Sequence, residues 1–159
     1  MDNKTYVNIL VDTLIKKESV IDDLIDLTTN QEEILKEEVF DIEAFDQTLF
    51  QKANKIEQLN QLDTGFEKVF QHVKDEIKNN VSDNKNQIVK LQGLITTIIE
   101  KSAKLQLMEK KNKNQFSACL MVQKKEVGQR KISNNVAANY YKNMSSKYQG
   151  ESFFLDKKK

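Results

Sequence analysis

Apolar residues recur along most of this chain at steps of three and four, the spacing that lines one face of an α-helix. From Val7 the stripe passes through Leu10, Leu14, Ile21, Leu24, Ile25, Ile34 and Leu35, with Val11, Val20 and Leu27 beside it. It predicts a first helix over residues 3–38. A second stripe is more regular: Ile42, Phe45, Leu49, Ile56, Leu59, Phe66, Phe70, Val73 and Ile77 keep the alternation, and only Lys52 and Asp63 interrupt it. It predicts a second helix over residues 41–79. The break between the two has a mechanism, because Asp41 is placed to cap the new helix while Phe40 before it meets Phe45 inside it as a hydrophobic staple. Residues 62–66 read locally as a turn, yet the register from Leu59 to Phe66 is preserved across them. A continuous helix accepts Gly65 at a cost of about 1 kcal/mol; a kink there is the alternative.

The stretch NNVSDNKNQ, residues 79–87, is a polar connection with candidate N-caps at Ser82 and Asp83. Beyond it Ile88, Leu91, Ile95, Ile98, Leu105, Met108, Phe116 and Cys119 continue the seam and predict a third helix over residues 83–127. At 1.5 Å per residue the helices are about 54, 57 and 67 Å long, comparable enough to lie side by side. Residues 1–128 therefore read as an antiparallel bundle of three long helices with coiled-coil-like packing. The third helix is the longest, and Ser102, Glu109 and Asn112 place polar groups on its seam. Its C-terminal half is expected to be less fully covered, a surface for a partner.

Residues 129–159 read as a linker, a short amphipathic helix over 134–148 and a flexible tail. Ser133, Asn134 or Asn135 can cap that helix, Ala137, Tyr141, Met144 and Tyr148 lie along one face, and Val136 and Tyr140 widen it. Such a stripe can enter a partner's groove or fold back as a fourth member of the bundle. Phe153, Phe154 and Leu155 form a separate apolar tip.

Composition agrees with an all-α fold. The 159 residues include no Pro, no Trp and only 4 Gly, too few turn formers for many strands. No apolar run approaches the roughly 20 residues that a bilayer span needs. The opening MDNKTYVNIL lacks a basic region and a small-residue cleavage site, so the expected compartment is the cytoplasm, and a single Cys119 agrees with a reducing one. The net charge of +1 conceals a division: residues 1–100 hold 11 Lys and 20 acids, a balance of −9, whereas residues 101–159 hold 14 Lys or Arg and 4 acids, a balance of +10. Such asymmetry means either a basic arm for an anionic partner or two parts of one fold that attract each other.

Candidate chemistry is sparse. Asp22, Asp23 and Asp26, then Glu32, Glu33, Glu37 and Glu38, read as a solvated helix face. A di-iron bundle needs Glu-x-x-His pairs, but the only histidine is His72 and Val69 stands three before it. His72 lies off the seam and reads as a surface residue, Cys119 lies on it and reads as a buried structural thiol, and the isolated glycines make no phosphate loop. No catalytic residue, cofactor or metal is expected. Lys101, Lys104, Lys110, Lys111, Lys113, Lys124, Lys125, Arg130 and Lys131 spread over the broad back of the third helix, and only one is Arg. A solvated lysine face, without nucleic-acid binding, is the expectation.

Three stretches together, YVNILVDTLIKKESVIDDLIDLTTNQEEIL, FDQTLFQKANKIEQLNQLDTGFEKVF and AANYYKNM followed by FFLDKKK, resemble the FlgN family of flagellar type III export chaperones. The resemblance covers nearly the whole chain. It implies a cytoplasmic, non-enzymatic chaperone that holds hook-associated proteins by their C-terminal helical segments and delivers them to the flagellar export gate. It further implies that the client or gate contact lies in the C-terminal helical region, here Val136, Ala137, Tyr140, Tyr141, Met144 and Tyr148. A related chaperone of the FliT type, and a coiled-coil scaffold or adaptor that self-associates through its helical seam, are the alternative readings.

Overall fold

The computed structural model describes residues 3–127. Three long helices pack against one another, α1 (Asn3–Lys36), α2 (Ile42–Asn79) and α3 (Lys85–Val127), and no strand occurs among the described residues. None of these helices is long and apolar enough to cross a membrane. The expected helix 134–148 and the tail after it lie outside the described residues.

The helix ends follow local chemistry. α1 stops at Lys36, two residues short of the expected end, where Glu37 N–H donates to the Ile34 carbonyl at 3.3 Å and tightens the last turn. α2 begins as its sequence predicts: Asp41 Oδ1 accepts the Ala44 amide at 3.1 Å, and the Phe40 and Phe45 rings meet edge to face at 5.8 Å. The start of α3 differs from expectation. Ser82 and Asp83 are exposed in a turn, and Asn84 is the residue that precedes the helix. Its carbonyl accepts the Ile88 amide at 2.9 Å and its side-chain Nδ2 donates to the Asn80 carbonyl at 3.1 Å, which ties the loop to the end of α2. Three adjacent polar residues all suit a cap; Asn84 is the one buried against the fold.

Each helix is divided between two compact units. The first holds residues 3–21 and 58–100 and the second holds residues 22–57 and 101–127. In the first unit Val7, Leu10, Leu14 and Ile21 of α1, Phe66, Phe70, Val73 and Ile77 of α2, and Ile88, Leu91, Ile95 and Ile98 of α3 are buried together. Tyr6 stacks on His72 at 5.4 Å and Lys17 pairs with Asp63 at 2.9 Å, so α1 and α2 run antiparallel in this unit. In the second unit Asp23 pairs with Lys55 and Gln31 bonds to Thr48, again antiparallel, whereas Asp22 with Lys101 and Thr28 with Glu109 make α1 and α3 parallel. One end of this unit is an aromatic cluster in which Phe116 stacks on Phe45 at 4.5 Å and meets Phe40 edge-on at 6.0 Å, with Ile34, Leu35 and Leu49 around them. Aromatic pairs of this kind contribute about 0.5–1.5 kcal/mol each beyond the area they bury.

α2 runs unbroken through Gly65, as a single helix from Ile42 to Asn79. A Cβ added at Gly65, or at Gly93 in α3, would meet nothing within 4 Å. Gly65→Ala and Gly93→Ala should therefore each stabilise the protein by about 1 kcal/mol, a rise of about 2–4 °C in Tm by thermal circular dichroism. An unchanged or lowered Tm would mean that these glycines serve a close approach absent from this fold.

Candidate functional site

The residues the sequence singled out for binding, Val136, Ala137, Tyr140, Tyr141, Met144 and Tyr148, lie outside the described residues. Inside them, the most distinctive feature is a buried polar layer in the second unit to which all three helices contribute. Thr28 and Gln31 come from α1, Thr48 and Lys52 from α2, and Glu109 and Asn112 from α3, and every one is buried. Lys52 is the largest of the fully buried side chains, at 1% exposure.

The layer forms one connected network. Lys52 Nζ donates to Glu109 Oε1 and, at 2.7 Å, to Gln31 Oε1. Gln31 Nε2 donates to Thr48 Oγ1 at 2.9 Å, and Thr48 passes its own proton to the Phe45 carbonyl at 2.5 Å. The chemistry fixes the orientation of the Gln31 amide, because an ammonium can only donate and a hydroxyl already donating must accept. On the other side, Thr28 Oγ1 lies 2.7 Å from both Glu109 Oε1 and the Leu24 carbonyl, which share its one donor proton, while Asn112 Nδ2 donates to the Thr28 carbonyl at 2.9 Å. Burial pushes the Lys52 ammonium below its ordinary pKa, with the Glu109 carboxylate opposing that shift by its charge and its hydrogen bond. In the first unit Lys17 and Asp63 form a simpler buried pair, and Asp63 Oδ2 is left without a hydrogen-bond partner.

Several sequence expectations meet this geometry. Glu109 and Asn112, expected to mark a poorly covered end of the third helix, are instead buried and bonded, and Ser102 is half-buried. Lys52 and Asp63, the two interruptions of the α2 stripe, each close an ion pair inside the fold. Lys17, Thr28, Gln31 and Thr48 were missed. The signal for three of them was present: in α1 the ladder 7, 10, 14, 17, 21, 24, 28, 31, 35 keeps its steps of three and four only if Lys17, Thr28 and Gln31 are counted as seam positions.

The acidic face of α1 does more than meet solvent. Asp22 pairs with Lys101 of α3 at 2.8 Å, Asp23 with Lys55 of α2 at 2.9 Å, and Glu32 with Lys36 at 2.9 Å and Lys111 of α3 at 3.6 Å. Hydrogen bonding to Lys36, then the charge of Lys111, holds the Glu32 carboxyl below its usual range, and the same bond raises Lys36. Part of the charge asymmetry is thus spent between helices of one fold. His72 is exposed, as expected, with its ring on Tyr6. Cys119 is half-buried rather than buried, packed beside the aromatic cluster, and burial raises its pKa and disfavours the thiolate. No group of three or more His, Cys, Asp or Glu side chains is placed to hold a metal ion among the described residues.

These features define an all-helical protein whose three long helices carry a satisfied polar layer in their shared core. Set against family models, curated proteins and solved structures, the chain matches none.

Removing one partner of the central ion pair leaves a buried charge, so Lys52→Met alone should destabilise the protein by about 3–5 kcal/mol. Lys52→Met combined with Glu109→Leu should recover most of that loss, and urea unfolding of the full cycle measures the coupling. Strictly additive losses would show that the pair is not a unit. The alkaline side adds a second test. Because the folded state holds the Lys52 proton less tightly than the unfolded chain, stability from this group is complete above the ordinary value of 10.5 and is lost as pH falls through the lowered folded value. Wild type should therefore gain stability relative to the double variant as pH rises through the lowered folded value toward 10.5; a constant difference across that window would contradict the shift.

Proposed function

We propose that this protein is a cytoplasmic, non-enzymatic export chaperone of the flagellar type III system, resembling the FlgN family. It binds hook-associated proteins through their C-terminal helical segments and delivers them to the export gate. In this reading the three helices are an antiparallel scaffold and residues 134–148 form a short amphipathic helix, followed by a flexible tail. Val136, Ala137, Tyr140, Tyr141, Met144 and Tyr148 contact the client or the gate. The observation that carries it is the spacing of those six residues on a segment attached to helices whose central polar layer is bonded within the chain. The apolar stripe of such a tail has area to offer, and Tyr and Met offer it at small entropic cost and with adaptable shape.

A self-associating scaffold is supported less well. Of Lys52, Asp63, Ser102 and Asn112, the residues that would set its register between chains, Lys52, Asp63 and Asn112 make bonds between the helices of one chain.

Co-purification with hook-associated proteins tests the proposal. Deleting residues 133–159 should abolish client capture while helicity stays largely intact, and Tyr141→Ser with Met144→Ser should weaken it at least tenfold. Full client affinity in the truncated protein would show that the tail is not the binding segment.

A further inference from the structure

The back of α3 carries a second candidate surface. Leu107, Met121 and Val122 are 71%, 76% and 84% exposed, among the most exposed large apolar side chains of the described residues. Leu107 and Met121 are separated by two heptads, so they lie nearly in line on the helix, about 21 Å apart at 1.5 Å per residue. Ala103 extends this line before Leu107 and Ala118 lies within it, both exposed. Helix propensity does not require Leu and Met at those places, since Lys, Glu or Gln would serve a solvated face as well.

Charge decides what such a face can accept. Between residues 101 and 122 the only acid is Glu109, and it is buried against Lys52, so no carboxylate of this stretch of α3 reaches the surface; Glu100 and Glu126 lie in sequence just beyond its two ends. Lys104 and Lys110 are exposed beside the apolar line, and so is Lys111, whose ammonium stands 3.6 Å from Glu32. A second copy docking by the same face would set lysines against lysines. The chain's own residues 128–148 contain four Lys or Arg and no acid, so they are repelled in the same way. A helix with an apolar stripe and acidic flanks complements both the apolar line and the lysines beside it.

We propose that the outward face of α3, centred on Leu107, Met121 and Val122 with Lys104 and Lys110 beside them, docks an acidic amphipathic helix of a partner protein. The apolar line supplies burial in the manner of a helix laid along a hydrophobic face, and the lysines supply orientation and fast encounter. This surface stands apart from residues 136–148 and does not depend on the flagellar reading.

The test uses the full chain and a fluorescent synthetic helical peptide with Leu at successive i, i+4, i+7 positions flanked by Glu, compared with the same peptide carrying Lys in place of Glu. The Glu peptide should bind, lose affinity as salt is raised, and bind at least tenfold more weakly to a Leu107→Asp/Met121→Asp variant, whose exposed sites leave the core untouched. The Lys peptide should not bind. Absence of Glu-peptide binding, equal binding of both peptides, or equal binding to the variant would overturn the proposal. Two other outcomes would do so by naming another occupant. Tighter peptide binding after Tyr140→Ser/Tyr141→Ser would place the chain's own tail on this face, and a dimer in light scattering that Leu107→Asp dissolves would place a second copy there. Client capture that fails while the Glu peptide still binds α3 would overturn the flagellar reading alone.

Discussion

The pairing of the Lys52 ammonium with the Glu109 carboxylate, both withdrawn from water, is the constraint around which the second unit is arranged. Taking an ammonium out of water costs several kcal/mol, and only a partner in the right place offsets it. Glu109 supplies that partner from α3, Gln31 supplies a second acceptor from α1, and Lys52 itself comes from α2. All three helices must therefore be at the correct height together. An apolar seam tolerates a slide of one turn, because one Leu meets another; here the same slide would bury an unpaired charge, and a slide of α2 past α1 would strand the amide of Gln31. The layer contributes modestly to net stability and strongly to the choice of one pairing over its neighbours.

This constraint has a consequence for the surface. With Lys52 and Glu109 committed to each other and Asn112 to the Thr28 carbonyl inside the chain, these polar seam positions are not available to select an external coiled-coil partner. What remains outside is of a different kind: basic, with apolar side chains at Leu107, Met121 and Val122, and in sequence followed by the tyrosine-rich residues 136–148. A scaffold of fixed register that displays short apolar stripes suits the capture of helical segments from other proteins.

Most of the fold was legible in the sequence because burial and helical periodicity coincide in it. The Asp41 cap and the Phe40–Phe45 staple could be read from six consecutive positions, since their geometry is local. The buried layer was harder for a physical reason. Lys17, Thr28, Gln31 and Lys52 belong to residue types that usually face water, and only the uninterrupted ladder of steps around them marks them as interior. For the start of α3 the sequence offered Ser82 and Asp83, each chemically competent, whereas packing leaves both exposed and buries Asn84, the residue that precedes the helix. Leu107 illustrates the converse: an apolar residue two positions from Leu105 looks like core by type, and only its register places it outside. Residues 136–148 remain a reading of spacing and composition, with support from the scaffold they follow.

The claim that the polar layer selects the register is tested most directly by a distance measured between spin labels at two exposed positions of the second unit, Asn30 of α1 and Asn54 of α2. Wild type should give one narrow distance. A variant carrying Lys52→Met, Glu109→Leu, Gln31→Leu and Thr48→Val should remain helical but show a second population displaced by about one helical turn, 5.4 Å along the axis. A single narrow distance, unchanged from wild type, would show that the apolar seam alone holds these helices in place.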